Sequence, residues 1–428
     1  MNNQQYPLPE GWEWKPLSSL AIIVSGGTPS REVPDFWEPP LHAWVTPTDI
    51  TGKSGRFLFD AKERISDVGL SNSSATMLPI GTILMTSRAT LGEAKIARIP
   101  CCTNQGFKSL VPKSDVPSEY LYYLLQFFKE EYKKLGIGST FLEVNKKDTA
   151  QFQLPVSPPS LRPKIANILC EVDDHIDSTL ELIGKYEVTK QGLMSDLFSR
   201  GIDPATGLLR PSISEAPELY RDTPIGSLPK EWDVLPASLI CERVIDCKNR
   251  TPPERDEGFA VVKTFNIKDG ELVFDTLTFT DRLSFDIWTA RGVPSPGDIV
   301  ITREAPVGES FLIEENMPQL CLGQRTMLYR PDPNVIESDF MYFATRSLRF
   351  QKRLLDMAGG STVGHVRVGD VKDMLFPIPS SVEQKAIAKN CTAINKKLRA
   401  EKAMLDKLKA HKAGLMRDLL TGKVPVSA

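Results

Sequence analysis

The sequence predicts an α+β fold: two similar mixed α/β domains separated by a long antiparallel two-helix coiled coil, with pseudo-two-fold symmetry. Two observations predict it. The chain of 428 residues contains a long internal repeat, and each copy of the repeat ends in a heptad pattern of apolar residues. A repeat this long indicates a duplicated domain rather than a solenoid. Two similar units on one chain form a pseudo-dimer, which suits a two-fold target such as duplex DNA.

The repeat consists of short motifs that recur along the chain. Gly138 and Gly360, each followed by Ser-Thr, lie 222 positions apart. Further pairs have the same spacing or differ from it slightly, as expected of two copies that have diverged by small insertions. These pairs are Leu154-Pro155 with Phe376-Pro377, Gly192–Leu197 with Gly414–Leu419, and Gly81–Thr86 with Gly297–Thr302.

The globular domains are predicted over residues 1–157 and 228–379. Both stretches are rich in Gly, Pro and Thr, and their short apolar runs are bounded by turn residues, as in Ile83–Met85. Such runs predict short strands. Residues 118–134 and 337–356 are predicted helices, so each domain mixes strands and helices.

The spacer helices are predicted over residues 158–200 and, with a C-terminal tail, 380–428. Their apolar residues recur in steps of four and three, which is the heptad register of a coiled coil. Polar residues interrupt both seams at the same places. An alternative is that each helix packs only on its own domain. The apolar seam residues are Ile165, Leu169, Val172, Ile176, Ile183, Leu193 and Leu197, then Ile387, Ile394, Leu398, Leu405, Leu408, Leu415 and Leu419.

Residues 201–227 contain four prolines and are predicted to be a linker. Antiparallel pairing of the helices is favoured, because the linker then need not travel back along the coiled coil. At 1.5 Å per residue, the seam predicts a spacer of roughly 50 Å. Trp12 and Trp232, which begin the two copies, are predicted core anchors.

Composition argues against several classes of protein. Seven scattered cysteines indicate reduced thiols, and the absence of Cys-x-x-Cys or His-x-x-x-His pairs predicts no metal site. No leader of the secretory type begins the sequence, and no apolar run approaches the roughly 20 residues of a membrane span. A cytoplasmic protein is therefore expected. The net charge of −2 is unusual for a protein that binds nucleic acid.

Several motifs resemble the specificity (S) subunit of type I restriction–modification systems. Leu415–Val424 is similar to the family's C-terminal ending, and Glu383-Gln384-Lys385 to its helix start. Ser25–Ser30, followed by Trp44–Ile50, resembles the opening of a target recognition domain. Asp246-Cys247-Lys248 with Thr251-Pro252 resembles a variant of that opening. The first copy departs from the pattern at Arg162-Pro163-Lys164, where the second helix has Glu-Gln-Lys.

The resemblance implies a non-catalytic subunit that recognises a split site on double-stranded DNA. In the family, it directs two methyltransferase (M) subunits, which use S-adenosylmethionine, and restriction (R) subunits, which use ATP and Mg²⁺. No cofactor is expected on this chain. The near-neutral charge keeps open a non-DNA coiled-coil adaptor that bridges two protein partners. A third possibility is a nuclease using Glu93-Ala94-Lys95, although the second copy has Glu309-Ser310-Phe311 there.

Candidate DNA-binding residues are polar or basic side chains on predicted loops, because bases and phosphates are contacted by such groups. Arg88 and Arg303 lie just past matching strands. The alternative for each residue is a solvated charge, a structural ion pair or an ordinary turn. In the first copy they are Thr28, Ser30, Arg31, Thr86, Ser87, Arg88, Thr90, Asn104, Gln105, Lys108, Ser139, Thr140, Lys146 and Lys147. In the second they are Lys248, Asn249, Arg250, Arg303, Gln324, Arg325, Ser361, Thr362 and Arg367.

Overall fold

The computed structural model describes residues 7–138, 142–359 and 364–425. The chain divides into two compact units. The first unit comprises Met1–Leu182 and Glu401–Ala428, and the second comprises Ile183–Ala400. Both long helices, Arg162–Leu197 and Ser381–Leu420, therefore contribute residues to both units.

The first unit is built on a five-stranded and a three-stranded sheet. In the larger sheet neighbouring strands are antiparallel, except for the last pair, which is parallel. Its strands, in spatial order, are Ala21–Ser25, Phe107–Pro112, Ile83–Thr86, Ala94–Ala97 and Phe57–Leu58; those of the smaller sheet are Glu63–Ile65, His42–Val45 and Cys102–Thr103. Glu13–Pro16 pairs separately with Gln153–Val156. The shorter α-helices are Asp67–Ser71, Ser118–Phe127, Lys129–Lys133 and Lys146–Gln151, with 3₁₀ turns at Leu17–Ser19, Pro34–Phe36 and Pro47–Asp49.

The strand Ile83–Thr86 is buried along its whole length because both faces of its sheet are covered. Alternate side chains of a strand point to opposite faces. Accordingly Ile83 and Met85 pack into the core that includes the helices, and Leu84 packs into a second core between the sheets. This burial on both sides explains why the sequence shows a continuous apolar run there rather than an alternating pattern.

The second unit repeats this plan, with a four-stranded and a three-stranded sheet. Ile299 and Ile301 pack into the helical core and Val300 into the core between the sheets. The larger sheet contains Cys241–Asp246, Thr326–Pro331, Ile299–Thr302 and Ser310–Leu312; the smaller contains Thr278–Thr280, Phe259–Val262 and Leu320–Leu322. Further short strands form separate antiparallel pairs: Tyr220–Arg221 with Leu228–Pro229, Ile267–Lys268 with Glu271–Leu272, and Asp233–Pro236 with Leu375–Ile378. The shorter α-helices are Ala237–Ile240, Arg282–Trp288, Ser338–Thr345, Leu348–Met357 and Val368–Lys372, and the 3₁₀ turns are Pro217–Leu219, Thr264–Asn266 and Phe274–Thr276.

The helices predicted over residues 118–134 and 337–356 are confirmed, each as two shorter helices. In the second copy the break has a local cause, since the Ser347 side chain caps a new helix by accepting the Phe350 N–H at 3.4 Å. Such caps favour ending one helix and starting another.

In the first unit the two long helices run antiparallel. Leu419 and Leu420, near the end of the second helix, share a core with Ile165 and Leu169, near the start of the first. Asp173 lies one to two turns further along the first helix, and its carboxylate is 2.6 Å from Lys412 Nζ of the second helix. Because Lys412 comes before Leu419 in sequence, the two helices run in opposite directions. The alternative, in which each helix packs only on its own domain, is therefore wrong.

In the second unit the two long helices are also antiparallel. Met194 and Leu197, at the end of the first long helix, share a core with Ile387 and Cys391, at the start of the second. The apolar heptad residues of both helices are all buried or half-buried. Burial of that seam stabilises each unit by the hydrophobic effect.

Each long helix is followed by a glycine in the left-handed region, with φ +67° at Gly201 and +71° at Gly422. A Cβ on Gly201 would lie 2.3 Å from the Trp232 ring, and one on Gly422 would lie 2.7 Å from the Trp12 ring. Glycine therefore provides both the backbone turn and room for the indole. Trp232 is fully buried, as predicted for a core anchor, whereas Trp12 is half-buried.

Residues 201–227, predicted as a linker, are folded onto the second unit through a buried carboxylate. Glu383 is 2% exposed. It accepts hydrogen bonds from Arg210 Nη1 at 2.5 Å and Nη2 at 3.1 Å, from Trp232 Nε1 at 3.0 Å and from the Ile202 N–H at 2.9 Å. Proline content indicated irregular backbone but not this anchor, which depends on a residue far along the chain.

The first copy departs from the family motif at Arg162. Arg162 nevertheless fastens the start of its long helix at the positions that Gln384 uses in the second copy, with different hydrogen bonds. Gln384, 222 positions later, donates to the Pro379 carbonyl at 2.9 Å and accepts the Glu337 N–H at 2.8 Å. Arg162 instead donates to the Ser157 carbonyl at 3.2 Å and to Asp115 at 2.6 Å. The Arg162 hydrogen bond holds the pKa of Asp115 below its usual value.

We predict that Glu383→Gln destabilises the chain by about 3 kcal/mol, because removing one partner of a buried ion pair leaves the other charge without compensation. Urea unfolding followed by circular dichroism measures the change. Lys385→Gln, on the same helix, is the control. Lys385 is 66% exposed and 3.2 Å from Glu337, so its loss should cost less than about 1 kcal/mol. Equal effects of both substitutions would contradict the anchor.

Candidate DNA interface

In the first unit, loops from both sheets gather at one edge. The register places Thr86 beside Phe107 in the larger sheet and Val45 beside Thr103 in the smaller. The loops that adjoin these residues therefore leave the sheets at the same end. We call this surface the first loop edge. It comprises residues 26–31, 46–51, 87–92, 104–106 and 142–147.

Backbone hydrogen bonds tie the first loop edge together. The Ser87 N–H donates to the Gly106 carbonyl at 2.8 Å, and the Val144 N–H donates to the Ser87 carbonyl at 3.0 Å. The Asn104 N–H donates to the Val45 carbonyl at 3.1 Å. Loops fixed in this way can present side chains in defined positions, as sequence readout requires.

The second unit has a matching surface with matching bonds. The Arg303 N–H donates to the Arg325 carbonyl at 2.8 Å, and the Val366 N–H donates to the Arg303 carbonyl at 3.1 Å. The Gly323 N–H donates to the Val262 carbonyl at 2.8 Å. This second loop edge comprises residues 247–252, 263–266, 303–308, 323–325 and 364–367. The two edges share a backbone framework and differ in side chains.

Most predicted DNA-binding residues lie on these two edges and are accessible. Asn104, Lys248 and Gln324 are half-buried, whereas the side chain of Arg303 is only 11% exposed. The exposed ones are Thr28, Ser30, Arg31, Arg88, Thr90, Gln105, Lys146, Lys147, Asn249, Arg250, Arg325 and Arg367. Ser139, Thr140, Ser361 and Thr362 lie outside the described residues.

Three predicted residues are buried, so the expectation that they sit on an exposed surface is wrong. The Thr86 hydroxyl is directed inward and lies 3.3 Å from the Glu93 carbonyl. Ser87 and Lys108 bond to each other, with Nζ donating to Oγ at 3.2 Å, and burial lowers the pKa of Lys108. Thr86 and Lys108 lie within strands near their ends, and Ser87 directly follows a strand. Polar residues at such positions resemble loop residues in sequence, although these three are buried.

A carboxylate at each edge holds basic side chains. Glu143 is 2.9 Å from Arg88 Nε in the first unit. In the second, Glu304 is 3.2 Å from Arg325 Nε and 2.5 Å from His365 Nδ1. These ion pairs are partly exposed, so each is worth little in stability. Their main effect is on the local charge of each loop edge.

Arg88 and Arg303 follow matching strands but do not occupy matching positions. The hydrogen bonds above make Arg303 the counterpart of Ser87, and hence Glu304 the counterpart of Arg88. Arg303 is only 11% exposed; it donates to the Val366 carbonyl at 3.1 Å and lies 3.6 Å from Asp246. It therefore fastens the second loop edge, as Ser87 does the first.

Sequence reasoning missed the residues that restrain these cations. Glu143 and Glu304 form the ion pairs described above. Trp37 lies against Arg31, and Trp288 lies against Arg250. Trp37 lies only six positions after Arg31, but Glu143, Glu304 and Trp288 are far in sequence from their partners. For those three, the fold brings the partners together.

The Glu93-Ala94-Lys95 triplet is occupied by structural contacts. Lys95 Nζ donates to the carbonyls of Ser54 and Gly55, both at 2.7 Å. Burial lowers the pKa of Lys95. Glu93 pairs with Lys129 at 2.5 Å. Over residues 7–138, 142–359 and 364–425, no His, Cys, Asp and Glu side chains cluster as metal ligands would, and no helix is both long and apolar enough to cross a membrane.

The type I restriction modification DNA specificity domain family has a sequence model that matches residues 9–185 and 292–410. The chain belongs to this family. The predicted resemblance is thereby confirmed, and the protein is a DNA-recognition subunit of a type I restriction–modification system rather than a catalytic one.

Individual relatives agree. The MjaVIII specificity subunit of Methanocaldococcus jannaschii is 23% identical over 424 residues, which cover 98% of this chain and 94% of the relative. The MjaIX specificity subunit of the same organism is 34% identical over 173 residues, and this match spans 40% of either chain. A solved S subunit from M. genitalium matches with a TM-score of 0.62 at 16% identity, covering 100% of this chain and 99% of the other. That likeness confirms the predicted fold class.

We predict that Glu143→Gln strengthens non-specific DNA binding, because it frees Arg88 of its counter-charge. One additional phosphate contact would steepen the dependence of log K on log salt by roughly 0.9. Fluorescence anisotropy of a non-target duplex across a salt series measures this. Glu13→Gln is the control: it removes the same charge, 2.9 Å from Lys15, on the strand pair outside the loop edge. Identical salt slopes for the two variants would refute the prediction.

Proposed function

We propose that the chain reads two different short words on one DNA duplex, one with each loop edge, and so directs methyltransferase (M) subunits to a bipartite site. The observation that carries the proposal is the pair of loop edges, which share backbone hydrogen bonds and differ in side chains. Phosphate contacts fix the position of a protein on DNA, whereas base-edge contacts read its sequence. A backbone framework shared by the two loop edges suits the phosphate contacts, and side chains that differ between the edges suit the reading of two different sequences.

The differences between the edges fall where readout groups would lie. Gln105 and Gln324 are matched, and glutamine can contact adenine through two hydrogen bonds. Next to them, Asn104 is replaced by Gly323. In addition, Arg88 is replaced by Glu304, which favours a different base pattern. Two unlike words follow from these exchanges, rather than a palindrome.

The continuous helices support the proposal that a fixed number of base pairs separates the words. The first long helix has 36 residues and the second has 40. A packed pair of helices is stiffer than a flexible linker, so it holds a distance rather than a range of distances. The long helices are therefore proposed to set the gap.

Partners and cofactors follow from family membership as proposals for this chain. Two M subunits would supply S-adenosylmethionine chemistry, and R subunits, where present, would supply ATP- and Mg²⁺-dependent restriction. This chain's own contribution is recognition.

The proposal predicts a gapped methylation motif that depends on this gene. Expressing the chain with its M partner in a host that lacks methylation should add one bipartite adenine motif to the methylome. Expressing the M partner alone should add none. A continuous motif, or a motif that persists without this chain, would contradict the proposal.

The gap predicts a response to helix length. Inserting seven residues into the first long helix alone, within Ile165–Leu197, should abolish methylation because the two helices no longer match. Inserting seven into both helices should restore it. At 1.5 Å per residue and about 3.4 Å per base pair, the gap should lengthen by about three base pairs. Unchanged recognition of the original site by the single-insertion variant would refute the role of the helices.

The alternative of a non-DNA coiled-coil adaptor is overturned by the family match, because the model that covers residues 9–185 and 292–410 describes a DNA specificity domain. Binding of the complex with M to duplex DNA should accordingly weaken steeply with salt, since DNA releases condensed counterions when a protein binds its phosphates.

A further inference from the structure

In the first unit a tryptophan holds a loop cation and its backbone together. The Arg31 guanidinium carbon lies 3.7 Å from the centre of the Trp37 ring and 5.2 Å from that of Trp44. The Trp37 Nε1–H donates to the Ser30 carbonyl at 3.0 Å. One indole thus restrains both the side chain of Arg31 and the peptide that precedes it.

The second unit has the same arrangement on the matching loop. Lys248 Nζ and the Arg250 guanidinium carbon each lie 5.1 Å from the centre of the Trp288 ring. The Trp288 Nε1–H donates to the Arg250 carbonyl at 2.8 Å. Again one indole fastens the loop backbone and lies against the cations that the loop carries.

The two tryptophans do not occupy matching positions. Trp37 directly follows the 3₁₀ turn Pro34–Phe36, whereas Trp288 ends the helix Arg282–Trp288. The counterpart helix of the first unit, Asp67–Ser71, contains no tryptophan. The arrangement therefore does not simply reflect the duplication of one residue. It recurs where each domain presents basic residues at its loop edge.

Trp37 and Trp288 each pack partly against a small apolar cluster of their own unit, yet neither is fully buried as Trp232 is. Trp37 and Trp288 are only half-buried, and Arg31 and Arg250 are exposed. A core position would be served by an aliphatic side chain, which could neither stack on a cation nor donate to a carbonyl. The properties specific to indole are used here, and both act on the basic loop.

We infer that Trp37 and Trp288 are positioning residues that hold Arg31, and Lys248 with Arg250, ready for DNA phosphates. This inference rests on the proposed function. A long basic side chain loses rotational freedom when it binds, and holding it beforehand lowers that cost. Stacking on an aromatic face restrains the cation while its N–H groups remain available.

The positioned cations of the two loop edges differ in how readily they can contact a phosphate. Arg31 also lies 2.5 Å from Glu63, which must release it before a phosphate can take its place. Neither Lys248 nor Arg250 has an ion pair with any residue in the described part of the chain. The second loop edge therefore carries the larger contribution to DNA affinity.

The test uses the full chain with its M partner and a duplex bearing the methylated motif, with affinity measured across a salt series. Replacing both Lys248 and Arg250 with alanine should reduce the salt slope by about 1.8, the value for two phosphates. Trp288→Leu should weaken binding about three- to tenfold, and Trp288→Phe, which keeps a ring, should weaken it less.

A double-mutant cycle separates positioning from general structure. In the Lys248→Ala/Arg250→Ala background, Trp288→Leu should have no further effect on affinity, because the groups it positions are gone. An undiminished effect in that background would overturn the inference. The inference would also be overturned if the Lys248→Ala/Arg250→Ala variant lost discrimination at one base pair while its salt slope stayed unchanged. That result would indicate base contact instead of phosphate contact.

Arg98→Ala provides the matched control. Arg98 lies 4.0 Å from the centre of the Phe57 ring and 3.2 Å from Glu119, so it too combines a ring with a carboxylate. It follows the strand Ala94–Ala97, at the end of the sheet away from the loop edge. Its loss should leave affinity and slope unchanged. If the wild-type complex yields no bipartite motif, the proposed function fails; if it yields one and the tryptophan variants bind normally, only this inference fails.

Discussion

The antiparallel packing of the two long helices is the interaction on which both units depend. Each unit takes the end of one long helix and the start of the other into a single apolar core, as Leu420 joins Ile165 in the first unit and Leu197 joins Ile387 in the second. The first unit needs residues from two separate stretches, Met1–Leu182 and Glu401–Ala428, whereas the second is formed by Ile183–Ala400. In both, the hydrophobic effect couples residues that are far apart in sequence, and the loop edges belong to units whose cores include the paired helices.

The duplication conserved this scaffold while its chemistry diverged. Arg162 and Gln384 fasten equivalent helix starts with different donors, and the buried Glu383 anchor of the second unit has Leu161 at the corresponding position of the first. A backbone attachment can be met by more than one side chain if the hydrogen-bonding requirement is satisfied. The same tolerance at the loop edges allows one backbone framework to carry two different sets of side chains.

The candidate interface shows where sequence reasoning succeeds and where it fails. Motifs after short strands correctly located loops such as those bearing Arg31 and Arg250. The same motifs also suggested Thr86 and Lys108, which lie in the strands Ile83–Thr86 and Phe107–Pro112 and are buried. Whether a polar residue near a strand end is buried depends on what packs against that strand. That information is absent from the local pattern.

The sequence by itself determined the duplication, the heptad register and the family, because repeats, periodicity and motifs are properties of residue order. Tertiary structure alone decided which cations are restrained, through partners such as Glu143 for Arg88 and Trp288 for Arg250. It also decided that residues 201–227 fold onto a domain. Each of these outcomes depends on side chains that are distant in sequence and close in space, since ion pairs and stacking contacts form only between groups a few ångströms apart.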